Sequence, residues 1–192
     1  MLVVIDLFSK YVLLKPLKDS SASATINFLR DQVFLKFGVP EYLIYDNGPQ
    51  LRSAAFKIFL EKYRVVSWQT ASYHPQANLT EAANKTIGNA IRAYITGQEK
   101  HDEWDKYLPE IACAMNTSVH SQSLYSPFRV NYGYDMVTSG VQHKQCDVNR
   151  DTGTEIQDRL IKIRQNVQEN LKLAYEKNKK RYDLHSLASS RQ

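Results

Sequence analysis

An apolar tetrad that ends in an acid and a strand breaker does most to limit what this chain can become. Tyr42-Leu43-Ile44-Tyr45 reads as a short strand, and Asp46 stands at its end. Asn47-Gly48-Pro49 then stops it, because Gly and Pro end regular structure and Asn tolerates a turn. A helix over residues 51–63 and a strand over 65–69 follow, and then an irregular loop over 70–78. Glu81 opens a long helical pattern in which Asn84, Lys85 and Arg92 recur at spacings that share its face. An acid at a strand end and an acid in a first helical turn can meet in space, and such pairs hold hard cations such as Mg²⁺. Each acid alone has a plainer role: Asp46 as a turn former, Glu81 as a complement to the helix dipole.

The remaining elements follow from periodicity and punctuation. Leu2-Val3-Val4-Ile5 is a short, fully apolar run that predicts a buried strand, and Tyr11-Val12-Leu13-Leu14 its hairpin partner across the turn at residues 6–10. Ser20-Ser21 caps a helix that reaches Phe37, with Ile26, Leu29, Val33 and Phe37 on one stripe, and Gly38-Val39-Pro40 ends it. The segment 102–118 reads as helix, with Trp104, Leu108, Ile111, Ala112 and Met115 at helical spacing as core. Residues 136–153 read as a polar linker, and a long amphipathic helix follows with Ile156, Leu160, Ile163, Val167 and Ala174 spaced by threes and fours. The order strand, strand, helix, strand, helix, strand, helix is a mixed α/β pattern.

Charge sharpens this. The 192-residue chain carries a net charge of +5. Nine Lys/Arg against five Asp/Glu from Thr154 onward place +4 of it in the tail. Phosphate binding in the nearly neutral core therefore depends on local patches. The helix end at residues 177–181, four cations in five residues, reads as a solvated end or a DNA contact. Cys113 and Cys146 make no C-x-x-C pair and suit a reducing compartment, with Cys113 expected to be buried. His143 and Cys146 are too few ligands for zinc. The chain has neither a secretory signal pattern nor an apolar run long enough to span a bilayer.

The stretches Tyr45-Asp46-Asn47-Gly48-Pro49-Gln50 and Tyr73-His74-Pro75-Gln76-Ala77-Asn78, with Glu81 and Asn84-Lys85 behind them, resemble the integrase catalytic core of retroviruses and gypsy-like long-terminal-repeat retrotransposons. Thirty-four residues separate Asp46 from Glu81, close to the family's spacing. Asn116-Thr117-Ser118-Val119-His120, Tyr125-Ser126-Pro127-Phe128 and Tyr132-Gly133 resemble the segment that closes that core. The resemblance spans residues 2–183, loosely toward the end. It implies a ribonuclease H-like mixed sheet flanked by helices, plus the C-terminal amphipathic helix. The corresponding domains are an integrase-like core over 1–135, a linker over 136–153, a basic helix over 154–183 and a tail over 184–192.

The resemblance also implies a function and a gap. Three carboxylates serve such cores, and the first stands on a central strand that this chain is expected to lack. Asp6 does not replace it; its place before Phe8-Ser9-Lys10 suits an Asx-type turn. Asp46 and Glu81 are then the catalytic metal ligands, for Mg²⁺ or Mn²⁺. A two-ion site is expected only if the missing Asp is supplied, since the ions sit roughly 3.5–4 Å apart and need a bridging ligand. Asn47, Tyr73, His74, Gln76, Asn84, Lys85 and Arg92 are the implied DNA contacts. Ala82 stands where the family often has Arg, and Gly88 where a Lys commonly meets DNA. The implied activity is DNA integration in the nucleus, by metal-dependent end processing and strand transfer. Its partners are element ends and target DNA, and the assembly is homo-oligomeric, with no membrane. As written, the chain is expected to be an incomplete enzyme. The alternative is a non-catalytic remnant that binds nucleic acid or pairs with other integrase chains.

Overall fold

The computed structural model describes residues 1–17, 19, 21–69, 78–95, 101–139 and 153–189; for 78–83, 94–95, 101–103 and 181–189 it describes the backbone alone. The described elements are β1 (Leu2–Ile5), β2 (Val12–Lys15), α1 (Ala22–Phe28), a π-helical segment (Leu29–Phe34), α2 (Leu35–Phe37), β3 (Tyr42–Tyr45), a 3₁₀ turn (Pro49–Arg52), α3 (Ala54–Lys62), β4 (Val66–Gln69), α4 (Asn78–Ile95), a 3₁₀ segment (His101–Tyr107), α5 (Leu108–Thr117), α6 (Pro127–Tyr132) and α7 (Gly153–Ser189). The strands form two separate two-stranded sheets, β1–β2 and β3–β4. Two compact units emerge, one of Met1–Val3 with Leu14–Pro109 and one of Val4–Leu13 with Glu110–Gln192.

In the first unit, Ser21 caps α1 by accepting a hydrogen bond from Ala24 N, as its hydroxyl predicts. Gly38, at φ +95°, closes α2 in a conformation that glycine adopts without a Cβ penalty. Between them the chain departs from a regular helix. The π-helical segment adds a residue per turn, so the stripe slips: Thr25, Phe28, Leu29 and Phe34 are buried, while Phe37 is exposed and Val33 only half-buried.

Phe34 thereby meets an aromatic cluster built by α3. It stacks on Phe59 at 5.2 Å between centroids and meets Tyr63 edge-on at 5.1 Å. Phe56, fully buried, meets the Tyr45 ring of β3 edge-on at 5.2 Å. Such pairs add about 0.5–1.5 kcal/mol each beyond burial. They hold α3 against one face of a parallel pair in register from Tyr42↔Val66 to Tyr45↔Gln69. The other face leaves Tyr42 and Trp68 exposed, with rings 6.0 Å apart.

In the second unit, the hairpin turn is built as its sequence implies. Asp6 Oδ2 accepts from Ser9 N at 2.7 Å and from Ser9 Oγ at 2.6 Å, and Lys10 takes φ +65°. Asp6 is thus a turn former. The buried Asn116 of α5 acts as a surrogate strand: its Nδ2 donates to Val12 O at 2.9 Å, and its Oδ1 accepts from Val12 N at 2.8 Å. Both groups of one backbone residue are satisfied by one amide, which a buried strand edge requires. Cys113, expected to be buried, is half-buried with its Sγ 3.8 Å from Met136 Sδ. Its place on α5 leaves one side of the thiol uncovered.

The long helix α7 docks through the middle of its apolar stripe. Ile163 and Val167 are buried with Val130 of α6, flanked by Tyr125 and Leu171. Asn166 Nδ2 donates to Tyr125 Oη at 3.0 Å, and Asn170 Nδ2 to Ser123 O at 2.9 Å. Gly133 ends α6 at φ +84°, and a Cβ there would lie 3.1 Å from Leu160 Cγ. The glycine is therefore required twice, by backbone and by space. His120 organises the loop before α6: its Nδ1 accepts from Gln122 N, and its own N–H donates to Tyr125 O. Burial first, and Lys10 second, hold its pKa below the ordinary histidine value.

Three outcomes are expected. Asn116→Ala strands the Val12 backbone and lowers unfolding free energy by about 1–3 kcal/mol in urea titration. Gly133→Ala costs about 1–2 kcal/mol from the backbone alone, and Leu160→Ala in the same chain offsets part of the loss, which a double-mutant cycle measures. A histidine with a depressed folded-state pKa binds its proton less well when folded, so its stabilising effect is complete above the unfolded value of about 6.5 and declines as pH falls through it. The melting temperature of the native chain should therefore drop more between pH 7.5 and 5.5 than that of His120→Gln.

Candidate active site

The carboxyl end of the β3–β4 pair gathers the polar residues that follow the strands. Asp46 comes directly after Tyr45, and its Oδ1 accepts from Gly48 N at 2.9 Å, an Asx turn that fixes the carboxylate against the backbone. Asn47 Oδ1 accepts from Gln69 Nε2 at 2.6 Å, joining the ends of β3 and β4. Pro49 then begins the 3₁₀ turn, where its missing N–H costs nothing. A Cβ on Gly48 would stand 3.0 Å from Asp46 Oδ1 and 2.8 Å from Gln50 Nε2, so the acid and the Gln50 amide close over the glycine.

Helix α4 carries the second group of expected residues. Asn84 and Lys85 are exposed on it. Arg92 is exposed too, and its Nε donates back to Gly88 O at 3.1 Å, one turn earlier. The opposite side is anchored by the fully buried Ile87. The backbone of Glu81 lies in the first turn of α4, but its side chain falls outside the described residues, as do Tyr73, His74 and Gln76 altogether. The structure therefore brings Asp46 and Asn47 together at a strand end and sets Asn84, Lys85 and Arg92 on one helix.

The donor chemistry at Asp46 is that of a hard, oxygen-only ligand, which suits Mg²⁺ or Mn²⁺ over softer ions. Among the described residues no group of three His, Cys, Asp or Glu side chains is placed to hold a metal. Asp46 fits one ligand position; a full coordination set requires groups beyond those described.

Two residues of this arrangement were not anticipated. Gln69 has no local signature; only its pairing with Tyr45 in the parallel ladder puts it within reach of Asn47, 22 residues away in sequence. Gly48 reads as a strand breaker, and its second role, leaving room for the Asp46 carboxylate, is visible only in three dimensions.

Comparison with known proteins places this geometry. Residues 1–75 match the family model described as the integrase core domain, a span that includes Asp46 and ends before Glu81. The transposon Tf2-3 and Tf2-4 polyproteins of Schizosaccharomyces pombe are 27% identical over 184 residues, covering 95% of this chain and 13% of theirs. The chain thus spans about one eighth of the length of these relatives. Among solved structures, the simian T-cell lymphotropic virus intasome in complex with the PP2A regulatory subunit B56 gamma superposes with a TM-score of 0.58 at 21% identity, over 66% of this chain and 46% of that one. The HTLV-2 integrase catalytic core domain in complex with magnesium superposes at 0.55 and 23%, over 66% and 80%. These likenesses establish the fold as ribonuclease H-like, with two small sheets flanked by helices. In sequence, residues 1–75 match the integrase core domain model and the chain is similar to retrotransposon polyproteins; in fold, it is similar to retroviral integrase cores.

Proposed function

We propose that this chain is the DNA-acting part of a retroelement integrase, and that Asp46 and Glu81 are ligands of a catalytic Mg²⁺ or Mn²⁺. The observation that carries the reading is the position of Asp46. It lies just past the carboxyl end of a parallel strand, with its carboxylate fixed by Gly48 N–H, and in open α/β sheets that end is where ligands bind. The preset turn lowers the cost of ordering an acid at a cation site. When bound, the ion polarises a scissile phosphate and lowers the pKa of its water.

The chain's own residues supply the rest. Lys85 and Asn84 present a charge and an amide to solvent on one helix face. Arg92 is exposed on the same helix, with its Nε donating to the Gly88 carbonyl. Contacts of Tyr73, His74 and Gln76 to DNA ends, nuclear action and a homo-oligomeric assembly belong to the same proposal. Two solved relatives with this fold are a dimeric and a trimeric form of the HTLV-2 core.

A second reading has its own observation. Lys85 and Arg92 are exposed on α4, a basic face that also suits a chain that binds DNA or pairs with other integrase chains without cutting. Anisotropy titration of a short DNA duplex between 50 and 200 mM salt tests the binding common to both. Each lost phosphate contact lowers the slope of log affinity against log salt by about 0.9, so Lys85→Ala with Arg92→Ala should reduce it by about 2. An unchanged slope contradicts the assignment of that face. Asp46→Asn should keep metal-free binding and abolish Mg²⁺-dependent strand cleavage or joining. Cleavage that survives it contradicts the catalytic reading, and binding with no cleavage in either chain selects the second.

A further inference from the structure

We infer that Gln69 is a positioning residue for the Asp46 carboxylate, acting through Asn47; this rests on reading Asp46 as a cation ligand. The ladder ends at the pair Tyr45↔Gln69. Side chains two residues apart along a strand share a face, so Asn47 continues the side on which Tyr45 stands beside Gln69. There Gln69 Nε2 donates to Asn47 Oδ1 at 2.6 Å. This bond extends the ladder by one step, through side chains.

The step matters because of where Asn47 lies. Its two peptide units carry Asp46 on one side and Gly48 on the other, and Gly48 N–H closes the Asx turn onto Asp46 Oδ1. The turn has little slack: the space above Gly48 is already filled to 3.0 Å by Asp46 Oδ1 and to 2.8 Å by Gln50 Nε2. Rotation of the 46–47 or 47–48 peptide therefore displaces the carboxylate directly. Pinning Asn47 from β4 removes that rotation. Tyr45, directly before Asp46, is held by Phe56 of α3, so the carboxylate is referred to the core through β3 rather than to the loop alone.

Gln69→Met keeps the length of the side chain and deletes the donor. In the 192-residue chain labelled with ¹⁵N, two readouts are taken at the Gly48 amide: hydrogen exchange without metal, and paramagnetic broadening by added Mn²⁺. Exchange at Gly48 should rise roughly three- to tenfold in Gln69→Met, the range expected for one lost hydrogen bond. The Mn²⁺ concentration for half-broadening should rise by a similar factor, with the urea midpoint unchanged. Gly48 exchange equal to that of the native chain overturns the inference. So does an equal rise at the Val66 amide, which donates to Glu41 O at the other end of the ladder, because that reports general loosening of β4. Asp46→Asn separates the two claims. If it leaves Mn²⁺ broadening intact, the cation reading fails, and the exchange data still decide the role of Gln69.

Discussion

Two parallel strands of four residues cannot be joined by a tight turn, and everything at the candidate site follows from how this chain meets that constraint. A parallel connection has to cross over, usually through a helix, and here the crossover is the 3₁₀ turn with α3. Its aromatic side chains lock onto Tyr45 at the end of β3 and onto Phe34 of the preceding helix. Because both strands run the same way, their carboxyl ends emerge side by side. Asp46, Asn47 and Gln69 become neighbours as a result of topology.

The second unit solves a related problem by different means. A two-stranded hairpin is marginal alone, and here one of its backbone residues pairs with an amide side chain on α5 instead of a further strand. From α5 onward the chain is tied by polar contacts of defined length: the His120 loop, the Ser126 cap accepting from Arg129 N, and the Asn166 and Asn170 bonds from α7. Burial of Ile163 and Val167 supplies the driving force, and the glycine at 133 sets how closely the two helices approach.

Much of this was legible in the residues, and the exceptions have physical causes. β1 and β3 announced themselves as apolar tetrads, and the first helix start as Ser21, whose hydroxyl does cap; the caps at Ser53 and Ser126 were not read from the sequence. The acid at the end of β3 and the turn role of Asp6 both follow from local chemistry. The slip of the first helix was hidden, since a π-helical insertion leaves composition and spacing looking like an ordinary helix; Phe34 in place of Phe37 shows it only in burial. Gln69 was hidden for another reason: its partner is fixed by register, and register across a crossover is not written in either strand. The half-burial of Cys113 reflects how α5 is covered, which spacing alone does not encode.

The central claim is that one strand end and one helix start share a cation. Crystals of the chain grown or soaked with Mn²⁺, examined by anomalous scattering, test it most directly. The account predicts a peak about 2–2.5 Å from oxygens of both Asp46 and Glu81, the range of oxygen ligation for hard cations. Carboxylates too far apart for a common ion, or a peak held by neither, would contradict it.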